Sequence, residues 1–364
     1  MTGDGRRLRR SEILDWLHET DHERLKGLWQ AADSLRRQQV GETIWLRGLI
    51  EISNRCVRNC AYCGIRAANR SLRRYRMSRA EILACARLAR EQGLGTVVLQ
   101  SGEDTGLSAP WVASVVRAIR AETDLVVTLS LGERDDAAFA LWRAAGAARY
   151  LLRFETANPE LYARLHPGAP PLAARLARLE RLRALGYQLG TGFLVGVPGQ
   201  RYPDLADDLE LLADLTPDMI GLGPWLPHPA TPLGQSDGGG PAPAGEQVPG
   251  TALMACKALA LARLLCPGTN IPSTTALSVA DPAAGRSDGL TRGANVVMPN
   301  LTPLRYRRLY EIYPAKGLFS LESAEQLVRL RRQLTALDRA IGSGAGDPPV
   351  YTERQASGPL RSQP

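Results

Sequence analysis

Three cysteines lie close together early in the chain, at Cys56, Cys60 and Cys63, and their spacing is C-x-x-x-C-x-x-C. Thiolates are the usual protein ligands of iron–sulfur clusters, so three of them on one short loop can hold a cluster. A 4Fe–4S cube has four iron corners, and three cysteines leave the fourth iron open to a small chelating ligand. The loop therefore predicts one cluster with an exchangeable coordination position.

Three other interpretations of the cysteine loop are open. A structural zinc site uses four protein ligands, usually as two spaced pairs, and the remaining cysteines, Cys85, Cys256 and Cys266, form no second pair. A disulfide framework is typical of short secreted chains, whereas this chain has 364 residues and begins without a hydrophobic signal core. The third alternative is chance clustering. The spacing favours the iron–sulfur cluster.

Composition excludes some classes of function. The net charge of +8 comes from arginines on segments of alternating charge, such as residues 175–183, which is typical of solvated helix faces. There is no nucleic-acid-binding motif, and four phenylalanines offer few stacking platforms. No apolar run reaches the roughly 18–20 residues that a membrane span needs. We therefore predict a cytoplasmic protein that binds neither nucleic acid nor membrane.

The chain alternates between strand-like and helical segments after Gly41. The predicted strands are residues 44–52, 96–100, 125–130, 150–154, 188–195, 219–223, 270–275 and 294–298. Eight strands alternating with helices indicate an α/β fold, a (β/α)8 TIM-type barrel. An open doubly wound sheet is the alternative, but no glycine-rich phosphate turn follows the first strand. The cysteine loop follows it instead, at the barrel end where active sites lie.

The predicted organisation has four parts. Residues 1–40 form an N-terminal helical cap, 41–320 the barrel, 321–341 a C-terminal helix, and 342–364 a disordered tail, because the tail is rich in Gly, Pro and Ser. Residues 234–245 are expected to form a flexible loop. The best helix signal is the capping box of Ser78 and Glu81, with Gly93 at the predicted stop.

Several predicted strands end in polar residues where a sealed core would be apolar. These residues are Gln100, Thr128, Ser130, Arg153, Thr274 and Thr275. Alternation along the fourth strand places Arg153 and Glu155 on one side, where they face a ligand or form a structural ion pair with each other. As a group, the polar ends predict a pocket for a small polar substrate. For each residue, bonding to barrel backbone or water is the alternative.

The cysteine loop resembles that of the radical S-adenosylmethionine (SAM) superfamily, because an aromatic residue, Tyr62, precedes the last cysteine. The run from Cys63 to Asn69, and then Arg74-Tyr75-Arg76-Met77-Ser78, resembles the HydE branch, the FeFe-hydrogenase maturases. Further matches are residues 192–200, 221–229 and 294–303. Biotin synthase and methylornithine synthase are relatives of this branch. The resemblance covers roughly residues 40–317 and implies a complete radical SAM barrel.

The resemblance also implies how SAM is bound. SAM would chelate the open iron, and the turn of Ser101, Gly102 and Glu103 would meet its amino group. Glu155 would contact SAM, and Arg175, with Arg178 as the alternative, would bond the SAM carboxylate. The adenine would lie along the segment that contains Val195, near Tyr62. In this pattern Met298 and Tyr310 face the substrate cavity, although helical periodicity alone assigns Tyr310 to packing.

The implied activity is reductive cleavage of SAM to methionine and a 5′-deoxyadenosyl radical. In the HydE branch the substrate is an organometallic iron–cysteine complex, the electron donor a ferredoxin or flavodoxin, and other hydrogenase maturases are potential partners. No cysteine follows Gly317, so we predict one cluster only. The alternatives are a methylornithine-synthase-like or other paralogue acting on a small amino-acid-like substrate, and a non-catalytic Fe–S or metal-binding scaffold.

Overall fold

The computed structural model describes residues 7–235, 243, 245–314 and 323–357. The strands of this part of the chain are β1 Trp45–Ser53, β2 Thr96–Ser101, β3 Val126–Ser130, β4 Ala147–Leu151, β5 Gln188–Thr191, β6 Leu194–Val195, β7 Met219–Ile220, β8 Gly223–Pro224 and β9 Val296–Val297. Its helices are α1 Arg10–His18, α2 His22–Val40, α3 Arg79–Glu91, α4 Ala109–Thr123, α5 Asp136–Ala144, α6 Pro159–Leu165, α7 Leu172–Ala184, α8 Tyr202–Leu215, α9 Pro232–Gln235, α10 Ala252–Leu265, α11 Thr275–Ala280, α12 Gly285–Thr291, α13 Leu304–Arg307, α14 Ser323–Ala336 and α15 Pro349–Ala356.

Seven parallel strands form one sheet in the order β7-β5-β4-β3-β2-β1-β9. The segment 270–272 joins the two edges, because Asn270 bridges to Met219 of β7 and Pro272 bridges to Val296 of β9. The Ile220 N–H donates to Asn270 O at 2.9 Å on one side of that segment. The predicted α/β barrel is therefore confirmed, as a curled sheet of seven parallel strands. The predicted strand 270–275 is reduced to two isolated bridges between the edges of that sheet.

Two predicted strands are interrupted near the end of the barrel that carries the cysteine loop. Residues 188–195 split into β5 and β6 at Gly192, where the backbone comes so close to Gly221 that a side chain would overlap it. The predicted strand 150–154 instead spans Ala147–Leu151, and Glu155 has a φ of 69°, in the left-handed region. Strand alternation is therefore the wrong reason for placing Arg153 and Glu155 on one side.

The helices surround the sheet and fix its outer face. The predicted capping box starts α3, since the Ser78 N–H donates to Glu81 Oε2 at 2.7 Å and the Glu81 N–H donates to Ser78 Oγ at 3.3 Å. Helix α10 is buried along most of its length, because α1, α2, α8 and α12 pack against it. Helices α1 and α2 thus lie on the outside of the barrel, within the segment that we predict as a cap.

The predicted disorder of the tail is wrong for residues 342–357, which cover the end of the barrel opposite the cysteine loop. Arg149, in the middle of β4, is fully buried. Its guanidinium donates to Ala345 O at 2.7 Å and pairs with Asp347 at 2.5 Å. Gln188 also donates to Asp347, at 2.6 Å. A buried charge needs a partner, and the tail supplies it despite its composition. Residues 358–364 lie outside the described chain.

Two other predictions fall largely on undescribed residues. Most of the loop at 234–245 and the region directly after Gly317 lie outside the described ranges. Across the residues that are described, no helix combines the length and hydrophobicity needed to cross a membrane.

Replacing Arg149 with alanine is expected to lower the free energy of unfolding by about 2–3 kcal/mol. The reason is that four acceptors lose a buried donor, namely the side chains of Asp347, Gln188 and Thr96 and the carbonyl oxygen of Ala345. Chemical denaturation under anaerobic conditions measures this. Arg117 is exposed on α4, so Arg117→Ala is a matched control and should shift stability by less than about 0.5 kcal/mol. An equal loss in both variants would contradict the role of the tail contact.

Candidate active site

The cysteine loop follows β1 and is held by the ends of neighbouring segments. The Val57 N–H donates to Glu103 O at 2.9 Å, and the Gly64 N–H donates to Ile312 O at 3.1 Å. A side chain on Gly64 would overlap the carbonyl oxygen of Glu311, so this close contact requires glycine. The loop is therefore fixed on two sides before any ligand binds.

The three thiols are free of disulfides and half-buried. Burial, together with the neighbouring Cys56 sulfur, raises the pKa of Cys60 to about 12. Burial also raises the pKa of Cys63 and of Cys56. The backbone N–H groups of Arg58 and Glu103 point at Cys56 Sγ, at 3.4 and 3.3 Å. Such N–H···S bonds suit the sulfurs of an iron–sulfur site, and metal binding would displace the thiol protons.

Among the described residues, no group of three or more His, Cys, Asp or Glu side chains converges on a single metal ion. An iron–sulfur cube places each cysteine on a different iron, so its ligands need not converge on one point.

A cavity of about 340 Å³ runs from the cysteine loop into the barrel. All eight residues predicted to contact substrate line it: Gln100, Thr128, Ser130, Arg153, Thr274, Thr275, Met298 and Tyr310. Four of the residues predicted to bind the cofactor line it as well, namely Tyr62, Ser101, Gly102 and Glu155, together with Cys56 and Cys63. The strand ends and the cysteine loop thus meet in one space, as the barrel topology requires.

The cavity wall carries polar atoms that the protein leaves unpaired. Thr128 Oγ1 and Trp225 Nε1 are buried without a hydrogen-bond partner in the described structure. Leaving such a group unsatisfied costs about 1–3 kcal/mol, so the wall is suited to a ligand with polar groups. Other polar groups in the wall bond to each other or to backbone. Gln100 Nε2 donates to the Tyr310 hydroxyl at 3.2 Å. Thr274 Oγ1 accepts from the Leu277 N–H and so caps α11.

Arg153 and Glu155 form the ion pair that the sequence offered as an alternative. Arg153 Nη2 lies 2.5 Å from Glu155 Oε2, and both residues line the cavity. The Tyr62 hydroxyl donates to the other Glu155 oxygen at 3.3 Å. This contact joins the cysteine loop to the segment after β4.

His166, at the end of α6, is a site residue that the sequence analysis missed. Its Nδ1 lies 3.0 Å from Tyr162 O, an acceptor, so Nδ1 carries the proton and Nε2 is an acceptor. Nε2 lies 3.2 Å from the Tyr62 hydroxyl, so it competes with Glu155 Oε1 for the single proton of that hydroxyl. Burial lowers the pKa of His166 to about 4, although the Glu155 carboxylate raises it. The imidazole is therefore neutral at physiological pH. No motif around His166 indicates this contact.

Glu133, in the turn after β3, was also missed, and it pairs with two arginines at the rim. Its carboxylate lies 2.6 Å from Arg175 Nε and 3.1 Å from Arg58 Nη2. Arg58 also pairs with Glu103 at 2.8 Å. Glu103 and Arg175 belong to this group of ion pairs and do not line the cavity itself.

The two candidate arginines on α7 point in different directions. Arg175 Nη1 donates to Arg153 O at 2.8 Å, so Arg175 reaches the active site. Arg178 pairs instead with Asp136 of α5 at 2.8 Å. Val195 lies buried in β6, paired with Pro224 of β8, and its neighbour Leu194 lines the cavity.

Comparison with known proteins identifies the family. The radical SAM superfamily profile matches residues 50–212. The chain is 45% identical to the [FeFe] hydrogenase maturase subunit HydE of Thermotoga maritima over 291 residues, covering 80% of each chain. The chain belongs to the radical SAM superfamily, in the family of HydE. It is 27% identical to the 3-methylornithine synthase of Methanosarcina acetivorans over 81% of this chain and 80% of that relative.

Solved structures share the radical SAM fold. The crystal structure of methylornithine synthase (PylB) superposes with a TM-score of 0.79 at 22% identity, covering 97% of both chains. The FeFe-hydrogenase maturase HydG from Carboxydothermus hydrogenoformans superposes with a TM-score of 0.75 at 22% identity, covering 91% of this chain and 76% of that one. Membership in the radical SAM superfamily implies a 4Fe–4S cluster and SAM. The half-buried cysteine loop and the adjoining cavity, with polar groups in its wall, fit both.

The neutral His166 predicts a pH dependence of stability. Its pKa in the folded radical SAM protein, about 4, is below the ordinary value of 6.5, so the unfolded chain binds the proton first. The stabilisation is complete above about pH 6.5 and is lost as the pH falls toward 4, by on the order of 2–3 kcal/mol. Urea denaturation of the apoprotein between pH 4.5 and 7 measures this slope. The slope should flatten in His166→Gln and persist in His22→Gln, a helix-surface histidine.

Proposed function

We propose that the chain reductively cleaves SAM and acts in assembly of the [FeFe]-hydrogenase active site, as its HydE relative is named for doing. One observation carries the proposal: the cysteine loop and the polar strand ends line a single cavity, in a chain 45% identical to that relative. When bound, the cluster and SAM supply one-electron cleavage of a C–S bond and a 5′-deoxyadenosyl radical.

Cys56, Cys60 and Cys63 would each bind one iron and leave the fourth iron for SAM. The backbone N–H groups that point at Cys56 Sγ support this role, because hydrogen bonds to the sulfurs tune an iron–sulfur cluster. The turn after β2 would lie against the amino end of SAM. A side chain on Gly102 would overlap Arg55 O and lie 2.7 Å from Cys56 Cβ. Only glycine lets this turn approach the cysteine loop.

The charged groups around the loop suit the two ends of the methionine part of SAM. Glu155 lies in the cavity wall and would accept from an ammonium group or face the sulfonium. Arg175 is nearly buried, with 11% of its side chain exposed, and its charge lies beside Glu133. It would bond the SAM carboxylate. Glu103 supports the amino end through the turn, and the β6 segment with Val195 and Leu194 would lie along the adenine.

The deeper part of the cavity would hold the substrate. Arg153 supplies a positive charge, and Thr274, Thr275 and Tyr310 supply hydroxyl groups on the opposite wall. Gln100 and Met298 complete the contact surface. These groups suit a small anionic substrate, including an organometallic iron–cysteine complex, and the enclosing barrel keeps water from a reactive intermediate. An external one-electron donor, such as ferredoxin or flavodoxin, and other maturases are the proposed partners.

A small amino-acid-like substrate is the second candidate. Arg153, Thr274 and Thr275 line the same cavity and would bind an amino-acid carboxylate. 3-Methylornithine synthase is 27% identical to this chain. Activation of apo-hydrogenase with purified maturases separates the two. Restored hydrogenase activity supports the maturase, whereas SAM-dependent turnover of a free amino acid without such activation supports the second candidate.

Substitution of Cys60 is expected to abolish SAM cleavage, because the cluster loses one of three protein ligands. The experiment is anaerobic reconstitution with iron and sulfide, reduction with dithionite, and measurement of 5′-deoxyadenosine with EPR spectra recorded with and without SAM. Cys85 is buried on α3, away from the cavity lining, so Cys85→Ala should retain cleavage. An EPR signal insensitive to SAM, with no deoxyadenosine, would favour a non-catalytic scaffold.

Arg175→Gln should weaken SAM binding by about tenfold or more, because a charge-assisted hydrogen bond to the carboxylate is lost. Arg178→Gln is the matched control on the same helix, since Arg178 pairs with Asp136, and it should bind SAM as the wild type does. Equilibrium dialysis of SAM against the reconstituted proteins measures both. Similar affinities in the two variants would remove Arg175 from the SAM site.

A further inference from the structure

A second cavity, of about 410 Å³, lies beside the catalytic one and plays no part in the function proposed above. Its walls come from α11, α12, the end of β9, α13 and α14. Thr275 and Met298 line both cavities, so these two side chains form the partition between them. We call this second cavity the arginine pocket, because Arg286, Arg307 and Arg329 line it.

The charged side chains that line the arginine pocket are all arginines in the described part of the chain. No aspartate or glutamate is found among its lining residues in the described part of the chain. The nearest carboxylates on α11 and α12 are engaged elsewhere. Asp281 accepts the backbone N–H groups of Ala283 and Ala284, at 3.1 and 3.0 Å, and Asp288 pairs with Arg292 at 2.9 Å. Neither carboxylate is among the groups that act on Arg286.

Arg286 is the central side chain of the arginine pocket. It is half-buried on α12, and Nη1 donates to a neutral acceptor, Gln333 Oε1 of α14, at 3.3 Å. Burial lowers the pKa of Arg286, and no carboxylate in the described chain raises it. A side chain on Gly285 would overlap Leu277 O, so α11 and α12 pack closely and hold Arg286 in place. A guanidinium withdrawn from water without a counter-ion is suited to bind one.

We propose that the arginine pocket binds a small molecule carrying a phosphate or carboxylate group, held by Arg286 and Arg329. Arg329 lies on α14, opposite α12, and is exposed. The two guanidinium groups therefore approach the ligand from different helices, which suits the planar, bidentate pairing of arginine with oxyanions. Arg307, from α13, adds a third positive charge to the wall. The ligand would contact Met298 and Thr275 from the side facing away from the catalytic cavity.

The test is equilibrium binding of inorganic phosphate and of citrate to the full reconstituted chain, at constant ionic strength so that general screening is equal in all samples. Arg286→Gln and Arg329→Gln should each weaken binding by about tenfold, and Arg286→Lys should retain part of it. Arg332→Gln is the matched control, because Arg332 is exposed on α14 outside the pocket lining. Circular dichroism establishes that each variant is folded.

Tighter binding of phosphate than of citrate assigns the pocket to phosphorylated ligands, and the reverse order assigns it to carboxylates; both support the proposal. Dissociation constants above about 10 mM for both anions, or losses in Arg332→Gln equal to those in Arg286→Gln, would overturn it. The readout does not involve SAM cleavage. If the protein cleaves SAM but binds neither anion, the anion-binding proposal is wrong and the proposed function stands. If it binds phosphate but does not cleave SAM, the proposed function is wrong and the anion-binding proposal stands.

Discussion

The position of the three cysteines depends on the contact between the loop after β1 and the turn after β2. Backbone bonds join Val57 to Glu103 and Glu103 to Cys56 Sγ, and an ion pair joins Arg58 to Glu103. Gly102 makes this contact possible because any side chain there would overlap the loop. The two segments follow adjacent parallel strands, so the barrel itself brings them to the same end. The position of the cysteine loop is therefore a consequence of strand order.

Buried charged residues have different kinds of partner at the two ends of the barrel. At the end opposite the cysteine loop, Arg149 is neutralised by Asp347 of the tail, and burial of Asp347 is outweighed by its bonds to Gln188 and Arg149, which keep its pKa below the ordinary value. At the catalytic end, Arg153 and Glu155 remain within the cavity lining. Arg149 is thus paired by the tail, whereas Arg153 and Glu155 pair with each other in the wall of the cavity.

The rim of the active site is a network of alternating charge. Arg58 pairs with Glu103 and Glu133, and Glu133 pairs with Arg175. Tyr62 lies between Glu155 and His166, so the residue preceding Cys63 contacts both the segment after β4 and the end of α6. Because each member has a partner on another element, the network couples the cysteine loop to the turns after β2, β3 and β4. This coupling orients the groups that a chelated ligand would contact.

Local sequence determined the features that depend on neighbouring residues. The cysteine spacing, the Ser78 capping box and the alternation of strands with helices follow from short-range chemistry, and barrel topology then places the polar strand ends, from Gln100 to Thr275, in one cavity. Only the tertiary structure decided that Arg175 and not Arg178 reaches the site, that His166 and Glu133 belong to it, and that the tail covers Arg149. Those outcomes depend on contacts between residues distant in the chain, which no local periodicity or composition records.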